Sequence, residues 1–147
     1  MKRFAWALAA TLALAAWHVA TAAPSSALRA EHAWIRWLPA KLPAAGYATI
    51  RNDGDKPVSL DGADSPDYGM AMLHRSVREN GSDSMQTVEE ISIPAHASVQ
   101  LAPGGYHLML TGPKHPIQPG DRVRVLLHFS DGTTLDDLWN VRPANAS

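Results

Sequence analysis

After residue 30 the chain consists of short apolar runs separated by turn-forming residues. The runs predict strands at residues 33–38, 46–51, 58–60, 70–77, 85–93, 99–102, 106–110, 122–129 and 133–141. Glycine-containing turns divide them, such as Asp53-Gly54 and Asn80-Gly81, because glycine reaches positive φ at little steric cost. Residues 61–68 are rich in turn formers and predict a connection. This pattern predicts an all-β fold, either a sandwich or a barrel.

The beginning of the chain has a different pattern. Lys2-Arg3 is followed by an apolar run over residues 4–19 and then by Ala20-Thr21-Ala22. A basic start, an apolar middle and an A-x-A end are typical of a secretory signal peptide, and the run is short for a membrane-spanning helix. We therefore predict a signal peptide at residues 1–22 and a mature chain, residues 23–147, that works in the periplasm of a bacterium.

The mature part is long enough for one domain with a buried core, which we place at about residues 31–141. The full chain has 13 basic and 14 acidic residues, and removal of Lys2-Arg3 makes it more acidic. No cluster of lysine and arginine is present, so nucleic acid is not an expected partner. The mature part also has no apolar run that would span a membrane.

Cysteine is absent from the sequence. This excludes disulfides, thiol redox chemistry and a blue-copper centre, which needs a cysteine thiolate. A metal site would have to use His, Met, Asp or Glu. No catalytic triad, nucleotide loop or paired-carboxylate arrangement is evident, since the adjacent Asp136 and Asp137 would point to opposite faces of a strand. We therefore do not expect an enzyme.

A predicted hairpin and a later strand carry candidate metal ligands. His107 and Met109 are two residues apart, so they point to the same face of their strand. If Asn80-Gly81 forms a two-residue hairpin turn, residue 76 lies opposite 85 and residue 74 opposite 87. His74 and Met85 are then diagonal neighbours on one face. The hairpin and the later strand would each supply one imidazole and one thioether.

These donors indicate a particular metal. Thioether sulfur is a soft, neutral donor that selects Cu(I), whereas zinc prefers thiolate, imidazole and carboxylate, and calcium prefers oxygen. A site without thiolate would hold its ion firmly and still release it, as a carrier must. Because histidine binds metal in its neutral form, binding should weaken below about pH 6.

Each candidate also has an ordinary structural interpretation. Methionines on strands usually pack in a core, and single histidines usually lie on the surface. Met70 and Met72 alternate with His74 on one face. Met72 is a candidate reserve donor, but core packing is the expected role for both. The remaining histidines have no partners by spacing, and we assign them to surface or structural roles: His32, His96, His115 and His128.

The spacing of His74, Met85, His107 and Met109 resembles the H-x10-M-x21-H-x-M signature of the periplasmic PCuAC-type copper chaperones. Segments such as LAPGGYHLMLTG and GDRVRVLLHFSDG also resemble this family, and the resemblance covers residues 31–136. It implies a cupredoxin-like Greek-key β-barrel or sandwich in which these four residues bind one Cu(I) ion.

The resemblance further implies a role in assembly of the CuA centre of cytochrome c oxidase. The recipient of the ion would be a Sco-type protein or the oxidase subunit that carries the CuA site. Arg75 stands where some family members have a methionine, and the tail VRPANAS lacks the His and Met residues that some use for Cu(II). The alternatives are a metal-free β-sandwich module that binds a protein or polysaccharide in the cell envelope, or a copper enzyme with an open coordination position.

Overall fold

The computed structural model describes residues 27–147, and this part of the chain is all β, as predicted. The strands are β1 (Leu28–Arg36), β2 (Ala44–Asn52), β3 (Val58–Asp64), β4 (Tyr68–Glu79), β5 (Ser82–Thr87), β6 (Ile91–Ile93), β7 (Ala97–Leu101), β8 (Tyr106–Pro113), β9 (Arg122–Phe129) and β10 (Thr134–Arg142). Within residues 27–147 no helix is long and apolar enough to cross a bilayer. The predicted signal peptide lies outside the described residues.

The strands form one hydrogen-bonded sheet in the order β5-β4-β8-β7-β2-β1-β10-β9-β3-β6. β2 divides its pairing between two strands: Ala44 to Gly46 pair with β8, and Ala48 to Asn52 pair with β7. Most neighbours are antiparallel, but β1 runs parallel to β10 and β7 runs parallel to β8. This arrangement puts β4 between β5 and β8, and those three strands carry all four of the predicted ligands.

The hydrophobic core is formed by inward-pointing side chains from strands in different parts of the sheet. Leu73 of β4 and Leu108 of β8 share it with Val125 of β9 and Trp139 of β10. Successive side chains of a strand point to opposite faces. The neighbours of Leu73 and Leu108, which are His74 and His107, therefore point away from the core.

A β-bulge in β1 determines which aromatic side chain lies beside that outer face. His32 has a φ of 54°, and the pairing of β1 with β2 shifts by one residue between Glu31 and Trp34. A shift of this kind reverses the inward and outward positions that follow it. Ile35 consequently enters the core, and the Trp34 ring lies 4.8 Å from the Tyr47 ring, measured between centroids.

Two predicted elements differ from those observed. The predicted strand at 85–93 is two strands, because β5 ends at Thr87 and pairs with β4, whereas β6 pairs with β3 at the other end of the sheet. The predicted connection at 61–68 is mostly strand. Its turn-forming residues are accommodated by a register irregularity between Leu60 and Gly62, after which Ala63 is buried opposite Leu127.

Candidate metal site

His74 on β4 and His107 on β8 lie directly opposite each other in the sheet. Their ring centroids are 5.9 Å apart, and the ring planes meet at 64°. Both side chains are buried, with only 7% and 4% of their surface exposed, although they point away from the hydrophobic core. Two imidazoles are thus held side by side on a rigid pair of neighbouring strands.

The His74 imidazole is buried without satisfying its hydrogen-bonding capacity. Neither ring nitrogen has a hydrogen-bond partner among the described residues. Leaving a buried donor or acceptor unpaired costs about 1–3 kcal/mol, so native proteins keep few such groups, usually for a function. A buried imidazole nitrogen that has no hydrogen-bond partner is available to a metal ion.

The His107 imidazole is oriented by the backbone. Its Nδ1 lies 3.2 Å from the carbonyl oxygen of Gly105. Because a carbonyl oxygen only accepts hydrogen bonds, Nδ1–H must be the donor, and Nε2 then carries the lone pair. Metal-binding histidines are commonly fixed in this way, with one nitrogen donating to a carbonyl and the other facing the ion. The Tyr47 ring, 6.5 Å away between centroids, packs beside it.

Burial also affects the charge of His74. The pKa of His74 is lowered from its ordinary value of 6.5, mainly by burial and further by repulsion from His107. Both causes disfavour the imidazolium form. At neutral pH His74 is therefore neutral, which is the form that binds a metal ion.

The thioethers lie on the same face, on either side of the imidazole pair. Met109 is opposite Met72, two residues along β8 from His107. Met85 is opposite Ser76, on the other side of the pair, and Thr87 is opposite His74, as the hairpin hypothesis predicted. The turn residues Asn80 and Gly81 both have positive φ, at 51° and 80°, which is the geometry of a type I′ turn.

No methionine of the described range belongs to the hydrophobic core. The expectation that Met70 and Met72 pack in the core is therefore wrong. The alternation of β4 gives the core-facing positions to Ala71 and Leu73 instead. Met85 on the edge strand β5 is 64% exposed.

The sequence of this chain is similar to that of a known protein family. It matches the sequence model of the LpqE-like family over residues 28–137. It belongs to the LpqE-like family. The LpqE-like chain is 35% identical over 108 residues to Lxx21020 of Leifsonia xyli subsp. xyli, and it is 29% identical over 103 residues to RP573 of Rickettsia prowazekii. These matches cover 73% and 69% of this chain but only 64% and 56% of the two relatives, less than two thirds of either.

Solved structures confirm the predicted cupredoxin-like fold. The LpqE-like chain superimposes on the PCuAC domain of PmoF1 with a TM-score of 0.66 at 24% identity, covering 80% of this chain and 94% of that domain. It also superimposes on CuI-DR1885 from Deinococcus radiodurans, with a TM-score of 0.61 at 31% identity and coverage of 84% and 81%. The all-β cupredoxin-like class inferred from the sequence therefore holds for the LpqE-like chain.

The other four histidines of residues 27–147 have surface or structural roles, as predicted. Three are hydrogen-bonded to aspartates: His96 to Asp55, His115 to Asp67 and His128 to Asp64, at 2.8–2.9 Å. His32 occupies the bulge of β1. Among residues 27–147 no group of three or more His, Asp or Glu side chains is close enough to hold a metal ion.

The buried His74 predicts that the metal-free protein loses stability in mild acid. The lowered pKa means that the unfolded chain binds this proton more readily than the folded chain. The stability that depends on neutral His74 is fully present above pH 6.5 and is lost as the pH falls through the lowered value. Urea unfolding from about pH 8 to pH 5 should show this loss, and a His74→Leu variant should lose less.

His115 is the internal comparison for this experiment. Asp67 raises the pKa of His115, so this exposed pair contributes stability below pH 6.5 that is lost as the pH rises. The effect of His115 on the pH dependence of stability has the opposite sign to that of His74. It is present in both the wild type and the His74→Leu variant. Equal pH dependence of the wild type and the His74→Leu variant would contradict a buried neutral His74.

Proposed function

We propose that this protein is a copper carrier that binds one Cu(I) ion through His74, Met85, His107 and Met109. The observation that carries the proposal is the His74 imidazole, buried with two unpartnered nitrogens and 5.9 Å from a second, backbone-oriented imidazole. Imidazole and thioether are the donors that suit Cu(I) in the absence of thiolate. The likeness to CuI-DR1885, at 31% identity, supports the same ion.

The four donors would have different tasks. His74 and His107 lie on paired strands and provide a preformed half of the site. Met109 follows His107 on the same face of β8, and it would supply the first sulfur. Met85 lies on the exposed strand β5 (Ser82–Thr87), which we call the β5 arm. It would close over the ion as the second sulfur. Binding would therefore reduce the exposure of Met85.

A carrier role fits the charge of these donors better than catalysis does. Two imidazoles and two thioethers add no negative charge, so attraction between opposite charges would contribute little to the binding of the ion. The exposed β5 arm gives a partner protein a way to reach the ion from one side. We propose that the protein hands Cu(I) to a recipient, and that it does not act as an enzyme.

The proposed location is the periplasm. The predicted signal peptide at residues 1–22 supports it, and the names of the matching family and of the Leifsonia relative both contain the word lipoprotein. Lipids that are attached through cysteine need a cysteine, and this sequence has none. By its resemblance to PCuAC chaperones, we propose a Sco-type protein or the CuA-bearing oxidase subunit as the recipient.

An anaerobic titration of residues 23–147 with Cu(I) tests the proposal. Competition with a chromogenic Cu(I) chelator should give one ion per chain, and X-ray absorption of the loaded protein should show two nitrogen and two sulfur neighbours. Zn²⁺ in a parallel titration should bind much more weakly, because thioethers are poor zinc ligands. A protein that fails to compete with the chelator, or whose copper has no sulfur neighbours, would refute the proposed function.

A further inference from the structure

Met72 has the same relation to the imidazole pair as Met109. His74 lies opposite His107, and Met72 lies opposite Met109, in the same antiparallel pairing of β4 and β8. Each methionine is two residues from the histidine of its own strand, which is about 6.8 Å along the strand and on the same face. Met72 and Met109 are therefore equivalent in register relative to the imidazole pair, and either could supply a sulfur to an ion held by His74 and His107.

The backbone around Met72 is more firmly held than that around Met85. Met72 is half-buried on β4, which lies between β5 and β8 in the sheet. Met85 is 64% exposed on β5, which stands at the end of the strand order and is exposed throughout its length. Ordering an exposed methionine costs more side-chain entropy than ordering one that is already half-buried.

We propose that Met72 is a further thioether donor of this site and that it replaces Met85 when the β5 arm is displaced. The inference rests on the proposed Cu(I) function and deepens it. His74, His107 and Met109 would keep the ion throughout, while the fourth ligand changes from Met85 on one side of the pair to Met72 on the other. Cu(I) has a filled d shell and tolerates such a change of ligand direction.

This exchange explains how the ion remains bound while one side of the site opens. A recipient that displaces the β5 arm removes Met85, and Met72 prevents the ion from falling to three ligands. The recipient's own donor then approaches from the side that Met85 has left. Met70 is the next residue of β4 on this face, one step farther from the imidazoles and 52% exposed, so it lies beyond the exchange.

Leucine substitutions test the exchange, because Met→Leu nearly conserves volume and removes the sulfur. The variants are Met85→Leu, Met85→Leu/Met72→Leu and, as the matched control, Met85→Leu/Met70→Leu. Each is loaded with Cu(I), and the affinity and the sulfur count are measured by chelator competition and X-ray absorption. Circular dichroism checks that each variant is folded.

Met85→Leu should keep two sulfur neighbours and lose less than about 10-fold in affinity, whereas adding Met72→Leu should leave one sulfur and weaken binding by a further factor of about 10 or more. Adding Met70→Leu should change neither quantity. The inference is wrong if Met85→Leu already has one sulfur, or if Met72→Leu adds nothing to it. These outcomes differ from a failure of the proposed function, in which the wild type itself would not bind Cu(I) through sulfur.

Discussion

Replacing His107 with leucine is expected to lower the Cu(I) affinity by more than about 100-fold, since even partners that only orient metal ligands contribute 10–100-fold. The change removes one of two imidazoles whose rings lie 5.9 Å apart, together with the Nε2 lone pair that Gly105 orients. Leucine fills similar space, so the sheet should remain intact. Chelator competition under anaerobic conditions measures the affinity, and circular dichroism checks the fold.

The same change at His74 should have opposite effects on Cu(I) affinity and on the stability of the metal-free protein. His74→Leu should weaken Cu(I) binding as strongly, because it removes the other imidazole. It should also stabilise the metal-free protein by about 1 kcal/mol, because two buried nitrogens without partners disappear. His96→Leu is the matched control, since His96 is exposed and pairs with Asp55. Retention of the wild-type affinity within about 10-fold in His107→Leu would contradict the ligand assignment.

Local geometry made part of this site predictable from the sequence. Asn80-Gly81 favours a type I′ hairpin, and this turn fixes the register that sets His74 opposite Thr87 and Ser76 opposite Met85. The period of two along a strand was enough to put His107 and Met109 on one face. These inferences depend on neighbours in the sequence, and the structure bears out the hairpin register.

The features that were missed depend on contacts between distant residues. Pairing of β4 with β8, which brings His74 opposite His107, joins segments that no turn connects. The division of residues 85–93 arises because β6 pairs with β3 at the far end of the sheet. The bulge at His32 leaves no mark in the apolar pattern, since His32 is not one of the usual turn formers. Positive φ there is tolerated because pairing on both sides of the bulge holds the strand in place.

The face on which Met72 lies follows from the sequence, but the expected core packing of Met72 is wrong. Alternation put Met70 and Met72 on the face of His74, and that much is observed. Core packing is the ordinary expectation for both, because methionines on strands are commonly buried. The sequence does not reveal which face of β4 is covered by the rest of the sheet, and the core turned out to lie on the side of Ala71 and Leu73.

Trp139 is the residue whose loss should destabilise the fold most. Its side chain is fully buried on β10, and its ring lies against Gly46 of β2, where an added Cβ would be 2.9 Å from a ring carbon. Gly46 in turn pairs with Leu108, the residue after His107. The indole therefore fills the core directly behind the strands that carry the imidazoles.

Trp139→Ala should lower the free energy of unfolding by about 3–5 kcal/mol, because the large cavity cannot collapse between paired strands. Trp139→Phe should cost much less, since it keeps most of the ring and removes an indole Nε1–H that has no partner among the described residues. Urea unfolding of the metal-free proteins measures both changes. A loss below about 1 kcal/mol in Trp139→Ala would show that Trp139 does not support the core as its burial implies.

Copper should restore part of the stability that Trp139→Ala loses, because Cu(I) binding stabilises the folded state. A ligand that binds only the folded state adds about 2.7 kcal/mol at 100 times its dissociation constant. Trp139 lies on the opposite side of the sheet from the imidazoles, so folded Trp139→Ala should keep its Cu(I) affinity and gain this stabilisation in full. His107→Leu should gain little under the same conditions, because it lacks the affinity from which the stabilisation derives. A Trp139→Ala protein that folds but no longer binds Cu(I) would mean that the core positions the ligands as well as supporting the strands.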